Sequence, residues 1–321
     1  MHLKDSTDSR NDILNKEVTN WLLEGPVWLR YAVELQLLDL KPDVKPVLRD
    51  SAIKEIINRL KDNNVGIPAL KTGKVHYTET GKAYWDLFFL ADIGLTSNDL
   101  GLDREVEEIF RRQAPDGTFI IPPNVRDNYF CMSAILIASL ARMGYRDDPQ
   151  LHKYIRVILN SQGPDGGWHC YNSAFEMLDI ESCPMDNLNI LMLLGQYEQY
   201  REAPILHGAI DSLLEHWERR ETNWRPHGFG IGRRFMSLQY PAVKYGILRV
   251  LDVLSLFPYA VDSRAFQSML ALVRQKASGG KYYAEATDGA YAEFDFGQKK
   301  EPSRWLTFLI KRIEKRASQC Q

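Results

Sequence analysis

The segment "RRQAPDGTF" (Arg111 to Phe119) returns 49 residues later as "NSQGPDGGW" (Asn160 to Trp168). Gln113 aligns with Gln162, Pro115 with Pro164, Asp116 with Asp165, Gly117 with Gly166 and Phe119 with Trp168. A weaker copy, "RQKASGGKYY", runs from Arg274 to Tyr283. The flanks repeat as well: "FFLADIGL" (Phe88 to Leu95) aligns with "IASLARMGY" (Ile137 to Tyr145), and "VLDVLSLFPYAVD" (Val250 to Asp262) holds the same place in its own unit. A period of this size marks a chain that stacks one supersecondary unit, because a single unit cannot bury its apolar face alone.

Each unit reads as two helices. The first, as in "CMSAILIASLARMGY" and "DNLNILMLLGQYEQY", is apolar on most sides, which is the pattern of a buried helix. The second, as in "DREVEEIFRRQ" and "DPQLHKYIRVILNSQ", is amphipathic. Asp148-Pro149 starts one of these, since Pro suits a first helical turn. The Asp-Gly turn then ends it, because glycine adopts positive φ at little cost. Trp168 is expected to pack back onto the repeat it has just left.

The pattern predicts inner helices near 27–38, 82–93, 129–143, 186–200, 241–256 and 302–316, and outer helices near 49–62, 102–113, 149–162, 204–219 and 262–276. The alternation predicts an all-α fold with two concentric layers, an α/α toroid. The apolar segment "PSRWLTFLIKRIEKR" is expected to close the ring against the first helix. No strand pattern competes. The expected organisation is a polar segment over 1–24, one helical domain over 25–316 and a short tail over 317–321.

Bulk properties narrow the function. Of 321 residues, 45% are hydrophobic and 26% charged, as in a globular protein with a large core. The formal charge of −2 implies no general attraction to nucleic acid or an anionic membrane. No run of about 18 apolar residues is present, so no membrane span is expected. The opening "MHLKDSTDSRND" lacks an apolar signal core, and a cytoplasmic location is the expectation. Cys131, Cys170, Cys183 and Cys320 accordingly read as reduced thiols.

Gln162 with "PDGGW" resembles the QW-type repeat of the terpenoid cyclase and protein prenyltransferase superfamily, and the copies at Gln113 and Gln275 look like the same element. The resemblance covers about residues 25 to 316. It implies an α/α toroid whose inner ring surrounds a cavity for long apolar chains. It also implies an enzyme acting on an apolar, isoprenoid-like small molecule. The alternative is a ligand-binding or scaffold protein that kept the toroid and lost the chemistry. The DxDD acid motif of squalene-type cyclases and the DDxxD motif of class I terpene synthases are both absent. The prenyltransferase β subunit holds zinc with Asp-x-Cys at an inner-helix start plus a distant His. Here "DIESCPMDN" offers Glu181-x-Cys183 at that place, while the later starts "LQYPAVKY" and "EPSRWLTF" have no His. Such enzymes also work with a partner subunit, on which this sequence is silent.

Cys131 and Cys183 head adjacent inner helices, and Cys170 follows the intervening turn. The three are expected to meet on one rim and hold zinc, which favours four S or N ligands. Glu181, His76, His169 or His227 would complete the set. The other reading makes these cysteines small buried hydrophobes. Glu181 and Asp186 are the candidate catalytic carboxylates. Trp85, Arg304 and Trp305, at inner-helix starts, are candidate substrate contacts. So are Arg233 and Arg234 of the loop "HGFGIGRR", with Tyr240 beside them at the cavity mouth.

Overall fold

The computed structural model describes residues 16–121, 130–169 and 181–320. The longer helices are α1 (Lys16–Leu23), α2 (Val27–Gln36), α3 (Ser51–Lys61), α4 (Ala83–Ile93), α5 (Asp103–Phe110) and α6 (Phe130–Leu140). They continue with α7 (Pro149–Asn160), α8 (Pro184–Leu194), α9 (His207–Glu218), α10 (Ile247–Leu254), α11 (Arg264–Arg274) and α12 (Arg304–Gln319). The described residues contain no strand, only isolated bridges such as Gln113 to Phe119 and Ser278 to Lys281. No described helix is long and apolar enough to cross a membrane.

The two helix types separate by burial. Every residue of α4, α6, α8 and α10 is buried. By contrast α3 buries Ile53, Ile56 and Leu60, and α7 buries Leu151, Tyr154, Ile155 and Ile158, one stripe each. Side-chain caps begin several of the helices with open faces. Asp50 accepts from the Ala52 and Ile53 amides, Asp148 from Gln150 and Ser263 from Phe266, which satisfies donors that have no partner inside the helix.

The buried helices touch in sequence: α2 on α4, α4 on α6, α6 on α8, α8 on α10, α10 on α12, and α12 back on α2. Outside them, α3 packs on α4, α9 on α8 and α11 on α10. Helix α7 is tied inward by a 2.5 Å bond between the Tyr154 and Ser133 hydroxyls. Helix α1 falls inside the segment expected to be plain polar chain. It buries Val18 and Leu22 and packs on α2 and α12. The expected helix over 241–256 begins only at Ile247, after an irregular run from Pro241 to Gly246.

The repeated turn is the same object twice. The Ala114 amide donates to the Thr118 carbonyl at 2.8 Å, and Gly163 to Gly167 at 2.8 Å. Gly117 and Gly166 take φ of 104° and 78°, the left-handed region that disfavours a side chain. Gln113 Nε2 donates to the Gly117 carbonyl (3.0 Å) and to the Gln150 carbonyl at the start of α7 (2.7 Å). Gln162 Nε2 donates likewise to Gly166 (2.9 Å) and to Ile205, just before α9 (2.9 Å). Each glutamine therefore pins its own turn and the entry of the next outer helix. Trp168 is fully buried, and its Nε1 donates to the Ile158 carbonyl at the end of its own outer helix (2.8 Å). Trp168→Ala should lower stability by about 3–5 kcal/mol in chemical denaturation, the usual cost of emptying a buried Trp site. Gln162→Ala should cost less, about 1 kcal/mol, because its bonds lie partly open to water. Equal losses would mean that the ring does not anchor the turn.

Candidate functional site

Charge concentrates inside this helical assembly where the inner helices end. Asp92, near the end of α4, is 2% exposed. Arg142, just past α6, donates to its Oδ1 at 3.0 Å, and Arg312 of α12 sits 2.8 Å from the same oxygen. The Tyr240 hydroxyl donates to Asp92 Oδ2 at 3.1 Å. Asp252 of α10 accepts from Arg312 Nε and Nη2 (3.1 and 2.9 Å) and from Arg316 (3.0 Å). Burial alone would raise the Asp252 carboxyl, but Arg312, Arg316 and Arg142 outweigh it and hold the group at about 2. The same carboxylates keep the buried Arg312 charged.

The helix ends themselves are bonded in. Gln36 of α2 donates to the Asp92 and Ile93 carbonyls at 2.8 and 3.1 Å. Lys315 donates to the Gln36 and Leu37 carbonyls at 3.1 Å each, Arg201 to Gly195 at 2.9 Å, and Arg316 to Asp252 at 3.3 Å. Two adjoining basins of about 580 and 380 Å³ open to solvent here, and they share Gln36, Gln196, Arg312 and Arg316. Because Asp92 and Asp252 are both engaged by guanidiniums, these two carboxylates hold helices together at the rim. None of these charged residues was among the sequence candidates. The signal was present as single charges in apolar runs, "FFLADIGL", "LRVLDVLSL" and "LIKRIEKR".

The candidate residues lie mostly elsewhere. Arg304 Nε donates to the Trp21 carbonyl (2.9 Å), and its guanidinium lies 4.6 Å from the Trp21 ring, so it fastens α12 to α1. Trp305 is fully buried among Trp28, Phe89 and Tyr240, with ring centroids 5.4–5.5 Å apart. Phe294 and Phe296 of the loop before α12 fill the space beside them. Trp85 is buried and donates to the Tyr77 carbonyl at 2.5 Å. Asp86 accepts two 2.9 Å bonds from Arg59 and one from the Tyr291 hydroxyl. Arg233 and Arg234 are exposed, whereas Tyr240 is buried in the charged network. Glu181 is exposed and accepts from Trp224 Nε1 at 2.9 Å, while Asp186 is fully buried in the first turn of α8.

Of the thiols, Cys131 and Cys183 are buried at the starts of α6 and α8. Cys170 lies outside the described residues. His76 bonds to Thr78, His169 pairs with Asp165, and His227 donates to the Glu181 carbonyl. Among the described residues no three His, Cys, Asp or Glu side chains form a group that could hold a metal. A zinc site needs three or four ligands, and Cys170 of the expected set lies beyond the residues in which such a group could be sought. No protein-family model matches this sequence, and no curated protein matches it either.

The depressed Asp252 carboxyl makes stability depend on acid. Its contribution is complete above the unfolded value of about 4 and is lost as pH falls through its folded value near 2. Asp252→Asn should cost about 3–5 kcal/mol at pH 7 by leaving guanidiniums unneutralised. Denaturation at pH 7 and pH 3 should show the gap between variant and parent narrowing in acid. A gap independent of pH would remove Asp252 from the network's account.

Proposed function

We propose that this chain is an α/α toroid of the terpenoid cyclase and protein prenyltransferase type that binds an apolar, isoprenoid-like small molecule. The closed cycle of contacts through α2, α4, α6, α8, α10 and α12 carries this reading. Two features favour binding over turnover. The buried carboxylates Asp92 and Asp252 are committed to arginines, and the sequence lacks both acid motifs of the cyclases. Aromatic rings of Trp28, Phe89, Phe294, Phe296 and Trp305 pack edge to face in the interior, where an apolar guest would have to displace the loop that carries Phe294 and Phe296.

A second reading, an enzyme, draws on Asp186. This carboxylate is fully buried in the first turn of α8, beside buried Asn187 and Asn189, a costly placement that chemistry would justify. Geranylgeraniol titrated into the protein should quench tryptophan fluorescence saturably, because Trp28 and Trp305 face that interior. Hexadecanol, a straight chain of similar bulk, should quench less. Absence of a saturable change removes the binding reading. Release of diphosphate from geranylgeranyl diphosphate, abolished by Asp186→Asn, would replace it with the enzyme.

A further inference from the structure

Between α11 and α12 lies a stretch, residues 287–302, whose backbone bonds turn inward on itself. Its entry is fixed where the Glu285 amide donates to the Leu238 carbonyl at 2.8 Å, and its exit where the Ser303 amide donates to the Tyr282 carbonyl at 2.8 Å. At the exit Asp295 also accepts from the Ser303 hydroxyl and the Trp305 amide at 2.9 and 3.0 Å. Between those two points every backbone-to-backbone bond among the described residues stays inside the stretch: Tyr291 to Asp288, Ala292 to Gly289, Phe294 to Tyr291 and Gly297 to Phe294. The Gln298 side chain adds bonds to Asp295, Lys300 and Glu301, again within it. A loop that satisfies its own backbone can leave the body of a fold as one unit, without breaking a helix.

Side chains hold it down. Tyr291, Phe294 and Phe296 are buried, whereas Gly289, Ala292, Glu293 and Lys299 face solvent. Centroid to centroid, Phe294 lies 5.1 Å from Phe89 and 5.5 Å from Trp28, Phe296 lies 5.1 Å from Tyr240, and Tyr291 lies 6.2 Å from Phe89. Two polar latches join the rings. The Thr80 hydroxyl donates to Asp288 Oδ1 at 2.8 Å, and the Tyr291 hydroxyl to Asp86 Oδ1 at 2.9 Å. If a latch is lost, Asp288 keeps the Ala290 amide and Asp86 keeps its two bonds from Arg59, so neither carboxylate is stranded. Each latch is then a single hydrogen bond, worth about a fivefold to tenfold change in an equilibrium.

We propose that residues 287–302 form a lid whose rings hold the place of the apolar guest, hinged at the Glu285–Leu238 and Ser303–Tyr282 bonds and released at the Tyr291–Asp86 and Asp288–Thr80 latches. The inference rests on the binding reading above. Lid and guest compete for the walls of Trp28, Phe89 and Tyr240. The protein therefore binds only in the fraction of time the lid is lifted, and its apparent affinity falls by that fraction.

Hydrogen exchange of the full chain, with and without geranylgeraniol, tests the lid. Peptides covering 287–302 should exchange faster than those of α6 and α8, and faster still at saturating geranylgeraniol, because the guest keeps the lid out. Tyr291→Phe and Thr80→Val should each speed lid exchange and tighten geranylgeraniol binding, read by tryptophan quenching, by about the same fivefold to tenfold factor. Lid exchange no faster than that of α6 and α8 overturns the proposal. So does slower lid exchange with guest bound, which makes the loop a wall of the site, and so does unchanged affinity in the variants. Lid exchange that the variants speed, with no geranylgeraniol binding in parent or variant, supports the lid and removes the binding reading instead. Tyr291→Phe keeps its ring and Thr80→Val lies outside the aromatic cluster, so either variant, once folded, decides.

Discussion

Arg312 holds two carboxylates that belong to different helices, Asp92 of α4 and Asp252 of α10, and much of the interior depends on that bridge. Helices that end together bring their carbonyl ends together, each equivalent to about half a negative charge. Left alone, such ends would repel one another in a medium of low dielectric. Here Arg312, Arg316, Lys315, Arg201 and Gln36 donate into those carbonyls or into the carboxylates beside them. The cations answer the helix ends, and the aspartates then set where each cation lies. Replacing one member leaves another charge without a partner, which is why a buried network is costly to break although its net worth over an apolar core is small.

The opposite ends of the helices are built differently. Around Cys131, Asn189 and Arg249 the bonds are mostly to neutral groups: Asn189 donates to the Cys131 carbonyl at 2.9 Å and accepts from Arg249. Arg249 also reaches the charged network, since it lines one small pocket together with Asp92, Asp252 and Arg312. The outer layer follows a separate logic, because Gln113 and Gln162 each fasten one outer helix to the next by two backbone carbonyls.

The helices and turns were legible in the sequence because their causes are local. Apolar periodicity, Asp148-Pro149 and the repeated Pro-Asp-Gly mark helix type, start and stop within a few residues of each other. Helix α1 escaped because eight residues bury only Val18 and Leu22, too short a stripe to stand out from polar chain. The delayed start of α10 followed from Pro241 and Gly246, which interrupt an otherwise apolar run. The charged network was not legible as a unit. Asp92 meets Arg142 across 50 residues and Asp252 meets Arg312 across 60, about one repeat, and nothing in either segment names its partner. Arg304 and Trp305 were read toward a cavity, yet a helix start also meets its neighbours: one fastens α1 and the other fills the aromatic core. Gln275 copies the repeat in sequence but not in role, since the chain after it passes through a loop to α12 and not to another outer helix.

The span between Asp92 and Arg312 has a consequence for how the protein is made. The two lie 220 residues apart. At about 5–20 residues per second, a ribosome that has placed Asp92 needs on the order of 10–40 s to deliver Arg312, its second arginine partner after Arg142. During that interval α4, α6 and α8, buried on all sides in the finished protein, have no closing helix to cover them. The nascent chain therefore carries exposed apolar helices, with Asp92 held by Arg142 alone, until the residues of α12 emerge and final assembly follows.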